Sequence, residues 1–190
     1  MLIGVDKAQQ EGKHIRKHND LVGMGHELLS IPIPVGDYIE ITPKLADIIK
    51  RRGDKLKKMD LIGDIEVSVD TKKDCAELYQ DLIQDHERFS YSCFLAQNNN
   101  IKLYILVENT DGVTSPANLS NWKNEISWKR YFAAKKRAEN AGKKAPRPPA
   151  SPTQLKKIMW TMQQKYGVTF LFCIPDETAK IISDILTGKR

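Results

Sequence analysis

The residues of this chain whose types and spacing could do chemistry are acids placed at the ends of short apolar runs, together with one lysine. Asp6 closes the run from Met1, Asp37 follows Gly36, Asp70 precedes Lys72 by two positions, and Glu108 ends Ile101-Lys102-Leu103-Tyr104-Ile105-Leu106-Val107. Carboxylates that converge at the edge of a sheet can hold Mg²⁺ through their oxygens. A lysine beside them can neutralise charge or orient an attacking water, and such a site would hydrolyse a phosphodiester. The same acids could instead cap helices, pair with lysines or face water. Spacing by itself leaves both readings open.

The elements that must position these groups can be read from periodicity. Met1 to Val5 reads as a first strand. From Leu28 to Ile39 two prolines and a glycine interrupt the apolar pattern, which predicts an edge strand or a bend with a turn at Gly36-Asp37. Glu66 to Lys72 alternates strictly, so Asp70 and Lys72 should share one face while Val67, Val69 and Thr71 take the other. The spacing predicts a helix from Asp74, its cap, to about Asp85, and a second from Glu87 to Asn98. Ile101 to Val107 is apolar enough for a strand buried on both faces. Ser151-Pro152-Thr153-Gln154 has the spacing of a capping box with proline at the first helical position, and Gly167 can end that helix. A strand over Val168 to Ile174 and a helix over Asp176 to Leu186 complete an alternating pattern that predicts an α/β sandwich.

Composition narrows the function classes. A chain of 190 residues with 41% hydrophobic and 28% charged residues suits one globular domain and excludes fibrous or wholly disordered readings. No apolar run approaches the roughly 20 residues of a membrane span. Three widely spaced cysteines with no C-x-x-C pair argue against a disulfide framework or a thiolate zinc site. With no leader pattern at Met1-Leu2-Ile3, the expected location is the cytoplasm.

The net charge of +6 fits a polyanionic partner, and its distribution is uneven. One basic segment, an insertion over residues 43–60, reads as a helix carrying Arg51 and Arg52 and weakened at Gly53. The other, over 124–150, reads as a helical arm with Lys129, Arg130, Lys135, Lys136 and Arg137, followed by the linker Ala145-Pro146-Arg147-Pro148-Pro149. These seven cations are the candidate DNA-binding residues, and their phosphate contacts would make binding sensitive to salt. Trp122, Trp128 and Trp160 could stack on unpaired bases or serve in packing.

The succession Val35-Gly36-Asp37-Tyr38, Val69-Asp70-Thr71-Lys72, His86-Glu87-Arg88-Phe89, Ala96-Gln97 and Ile101 to Glu108 resembles the nuclease domain of the XPF family, in particular its small stand-alone bacterial and phage versions. The similarity covers Met1 to about Asn109 and returns at Tyr166 to Cys173. It implies a restriction-endonuclease-like core, a mixed central sheet flanked by helices with basic helical insertions. It also implies a Mg²⁺-dependent endonuclease, with Mn²⁺ as a substitute, acting on branched DNA such as flaps, forks or Holliday junctions, in repair or recombination, with a homodimer as a possible assembly. Carried over by position, Asp37 and Asp70 match the metal-binding acids, with Glu77 or Asp6 as further ligands. Lys72 matches the motif lysine, and Arg88 an arginine near the scissile phosphate. The chain departs from the pattern at Thr71, where arginine is usual, at Ala76 and Ser92, where acids are common, and in the longer interval between Asp37 and Asp70. The departures at Thr71, Ala76 and Ser92 motivate one alternative, a catalytically inactive DNA-binding module; a second is a phage–host interaction protein of the same fold with the basic arm as its contact.

Overall fold

The computed structural model describes residues 1–9, 12 and 14–189. Six strands form one sheet in the order β2-β1-β3-β4-β5-β6, with β1 at Leu2–Asp6, β2 at Glu27–Ile31, β3 at Tyr38–Glu40, β4 at Val67–Lys72, β5 at Lys102–Glu108 and β6 at Thr169–Cys173. β1 pairs parallel with β2, and β4, β5 and β6 run parallel to one another. The three-residue β3 lies antiparallel between the two groups, pairing with β1 on one side and β4 on the other. The sheet is therefore mixed, as expected, and its only antiparallel member sits at its centre.

Helices cover both faces. On one side α2 (Pro43–Arg52), α3 (Cys75–Tyr79), α4 (His86–Asn98) and α6 (Pro152–Tyr166) bury Leu45, Leu78, Phe89, Cys93 and Met159 against Ile39, Leu103 and Ile105. On the other side α1 (Ile15–Gly23) and α7 (Thr178–Leu186) bury Leu21, Ile182 and Ile185 against Ile3, Val69 and Leu106. Each fully buried Ile or Leu contributes roughly 1.5–3 kcal/mol, so two such layers clamp the sheet from both faces and hold its edges in register. β5 is the apolar strand predicted, with Leu103, Ile105, Leu106 and Val107 all buried. All three cysteines are free and buried, and no described helix is long and apolar enough to cross a membrane.

Local signals explain several helix boundaries. The Thr42 hydroxyl accepts from the Leu45 N–H at 3.3 Å with Pro43 in the first turn, and Gly53 ends α2 at φ +49°. The predicted basic helix is thus shorter than its charge pattern, and residues 53–64 form three separate 3₁₀ turns. Ser151 and Gln154 make the predicted capping box at the start of α6, and Gly167 closes it in the left-handed conformation.

Two segments differ from expectation. The segment after β1, for which no element was expected, forms α1, which buries Leu21. The helix predicted from Asp74 to Asp85 is α-helical only to Tyr79 and then widens into a π-helical turn at Gln80–Gln84. That wider turn buries Asp81 alongside Leu82. π-turns of this kind often mark functional positions, because they redirect side chains that a regular helix would place outside.

Candidate active site

Asp37 is held by backbone before its side chain does anything. Its N–H donates to the Val69 carbonyl at 2.8 Å, and its carbonyl accepts from the Asp6 N–H at 2.9 Å, stitching it between β1 and β4. Gly36 makes this approach possible. It sits at φ +75°, and a Cβ there would collide with the Ser68 hydroxyl and lie 3.1 Å from the Val69 carbonyl oxygen. Ser68 cannot easily yield, since it donates to the Val35 carbonyl at 2.6 Å. Gly36→Ala should therefore cost about 2–4 kcal/mol of stability through left-handed strain and overpacking. Urea unfolding measures this as a lowered midpoint at unchanged slope, and a wild-type midpoint would refute the close approach.

The Asp37 carboxylate accepts twice through Oδ2, from the Thr71 N–H at 2.8 Å and the Thr71 hydroxyl at 2.6 Å. Thr71, where the resemblance leads one to expect arginine, thus fixes the orientation of the first acid. Oδ1 carries no hydrogen bond among the described residues. Alternation along β4 puts Asp70 and Lys72 on a common face as predicted, and Lys72 Nζ donates to Asp70 Oδ1 at 3.1 Å and lies 2.9 Å from Oδ2 in an ion pair. The ammonium also lies 2.7 Å from Asp81 and 5.6 Å from the centre of the Phe89 ring.

Asp81 is the residue that sequence reasoning missed. Its carboxylate is only 5% exposed and bridges Lys72 to Arg88, the latter at 2.8 Å. The only sequence signal was an acid among the apolar positions of a predicted helix, and a regular helix gave no reason to bury it. Arg88 starts on α4, is anchored by Asp81, and leaves most of its side chain, 73%, open to solvent.

Charge in this cluster is unbalanced. Burial pushes the Asp70 carboxyl up to about 6; Lys72 opposes that shift, and Asp37 and Asp81 add to it. Burial also acts against the Lys72 ammonium, but Asp70 and Asp81 outweigh it and hold the group above its ordinary value. Three carboxylates, Asp37, Asp70 and Asp81, thus stand against two cations, the buried Lys72 and the largely solvated Arg88, an arrangement that an added cation would relieve.

These groups line one open cleft of about 920 Å³, together with Asp6, His14, Lys17, Glu77, Arg88, Glu108 and Arg130. Asp37, Asp70, Lys72 and Arg88 are therefore brought together. Glu77 also lines the cleft, but its Oε2 accepts from the Lys73 N–H at 2.9 Å. Asp6 is tied down by the Ile33 N–H at 3.1 Å and Lys58 at 3.3 Å. Glu108 pairs with Lys17, and burial together with Lys17 holds the His14 imidazole below its ordinary value. Among the described residues no three His, Cys, Asp or Glu side chains converge to cage a metal ion. Asp37 and Asp70 line the cleft together, and Mg²⁺ typically takes only one or two carboxylates, completing its shell with water and substrate phosphates.

The remaining cations lie elsewhere. Arg51 and Arg52 end α2, where Arg52 pairs with Asp60 at 2.7 Å. Lys129, Arg130, Lys135, Lys136 and Arg137 lie on α5 (Glu125–Asn140), and only Arg130 of these reaches the cleft.

No protein-family model matches the sequence, and no curated protein matches it. Among solved structures, an XPF from Aeropyrum pernix is similar to this chain with a TM-score of 0.55 at 13% identity, over 100% of this chain and 61% of the other. The likeness shows the fold: a mixed six-stranded sheet flanked by helices, in the restriction-endonuclease-like arrangement of that neighbour.

Proposed function

We propose that this chain is a metal-dependent DNA endonuclease that hydrolyses phosphodiester bonds in branched DNA. One observation carries the reading: two carboxylates, Asp37 and Asp70, share an open cleft with a buried, charged lysine, on a fold similar to that of an XPF protein. Such a set matches phosphoryl transfer, where positioning and charge stabilisation dominate.

Asp37 and Asp70 would hold Mg²⁺, or Mn²⁺ in its place, with Glu77, which also lines the cleft, as a further acid. When bound there, the ion would supply Lewis-acid stabilisation of charge developing on the phosphate. Lys72, kept protonated by two carboxylates, adds a fixed positive charge. Its position does not depend on rotamer search, because Asp70, Asp81 and the Phe89 ring hold it. Arg88 extends from the Asp81 anchor with its surface open, placed to take a phosphate oxygen. Asp6, with both oxygens engaged, holds the corner of the cleft between β1 and the Ile33 loop.

The test is incubation of the chain with flap, fork, four-way-junction and linear duplex substrates in Mg²⁺, in Mn²⁺ and in EDTA. Cleavage is expected with either metal, at least about tenfold faster on the branched forms, and absent in EDTA. Equal cleavage of linear duplex would remove the structure selectivity, and cleavage in EDTA would remove the metal. DNA binding without any cleavage would favour the inactive module instead.

A further inference from the structure

The helix α5 stands apart from the core: none of its 16 residues is buried, although it carries Ile126, Trp128, Tyr131 and Phe132. The three rings cluster on each other. Trp128 and Phe132 stack at 5.7 Å between centroids with their planes 29° apart, and Tyr131 meets the edge of Trp128 at 5.7 Å. Phe132 remains 58% exposed and Ile126 61%.

Two features indicate what covers this face. The first is continuity with the cleft, since Ile126, Ser127 and Arg130 in the first turns of α5 line its wall. A strand leaving the cleft along this helix would meet the aromatic cluster within about one turn, and the helix extends for about 24 Å. The second is charge. Lys129 and Lys135 pair with Glu125 and Glu139 at 3.5 and 3.9 Å, leaving Arg130, Lys136 and Arg137 with no ion pair among the described residues. A helix that carries an exposed Phe132 against half-buried Trp128 and Tyr131, together with uncompensated cations, suits a polyanion that also presents flat apolar faces. Duplex DNA offers only the phosphates, because its bases are already stacked; an unpaired strand offers both.

We infer that α5 is a single-strand guide, in which Trp128 and Phe132 stack on unpaired bases while Arg130, Lys136 and Arg137 follow the phosphates away from the cleft. The inference rests on the nuclease reading for the direction of the strand, and it names the feature of branched DNA that the enzyme would select: an unpaired arm beside the cleavage point.

The test measures binding alone, in EDTA, by fluorescence anisotropy of labelled single-stranded and duplex oligonucleotides. Trp128→Ala/Phe132→Ala should weaken single-strand binding about tenfold or more, with duplex affinity and the salt slope unchanged. Trp128→Phe, which keeps a ring, should retain wild-type affinity. Lys136→Ala/Arg137→Ala should weaken both ligands alike and flatten the salt dependence. Equal losses on duplex and single strand from the aromatic variant would overturn the inference, as would unchanged single-strand binding. Sedimentation of the free protein covers the rival occupant: a dimer that the aromatic variant dissociates, with oligonucleotide affinity intact, makes the face a contact between copies and also overturns it. Because no cleavage is measured, single-strand binding that depends on the rings would stand even if the chain proved unable to cut.

Discussion

Asp70→Asn should abolish detectable cleavage, lowering the rate by about 10³-fold, while leaving DNA binding intact and the fold at least as stable as wild type. The rate follows from the loss of one of the two carboxylates proposed to hold the metal: about 4 kcal/mol of lost charge stabilisation corresponds to three orders of magnitude. The stability follows from the electrostatics of the cluster. Asp70 is a largely buried carboxylate, and burial with Asp37 and Asp81 pushes its pKa up to about 6 in spite of Lys72. Its charge is therefore a net burden to the folded state near neutral pH, and a neutral amide of the same shape removes that burden while Lys72 keeps Asp81 at 2.7 Å. A residue whose removal helps folding and ends catalysis has the signature of a functional acid. Cleavage by the variant at the wild-type rate would show that the catalytic centre is elsewhere. A large fall in thermal midpoint would show instead that Asp70 serves structure.

The same change of charge eleven positions on should do the opposite to stability. Asp81→Asn removes the group that joins Lys72 to Arg88, at 2.7 and 2.8 Å, from a position 4% exposed. Breaking a buried pair by deleting one partner costs about 3–5 kcal/mol, because the remaining charge stays buried with less compensation. Arg88 is mostly solvated and adds little to that figure. For a domain of this size the loss corresponds to a midpoint lower by about 10 °C. Cleavage should fall as well, since Lys72 is left with Asp70 alone and Arg88 with only Asp85 at 3.9 Å. Calorimetry and the junction assay on the two asparagine variants together give the comparison. Equal stability effects at positions 70 and 81 would contradict the division of labour between them.

How much of this was legible in the residues can be judged at particular places. Strict alternation over Glu66 to Lys72 was enough to put Asp70 and Lys72 on one face, because strand periodicity is local and tolerates no exception. The caps at Asp74 and Ser151, the stop at Gly167 and the burial of β5 were likewise written in neighbouring positions. The resemblance in residue order pointed to the fold that the structural comparison shows.

What only the tertiary structure decided depends on contacts between distant segments. Asp37 meets Thr71, 34 positions away, because three residues of β3 enter the sheet antiparallel between β1 and β4, and nothing local in Tyr38-Ile39-Glu40 announces that partner. Asp81 becomes a bridge because a helix widens beneath a buried lysine, and none of the aromatic residues of α5 is buried in the core. Periodicity reports which side of an element is apolar. It carries no record of which element arrives there, since that choice is made by the summed burial of the whole chain.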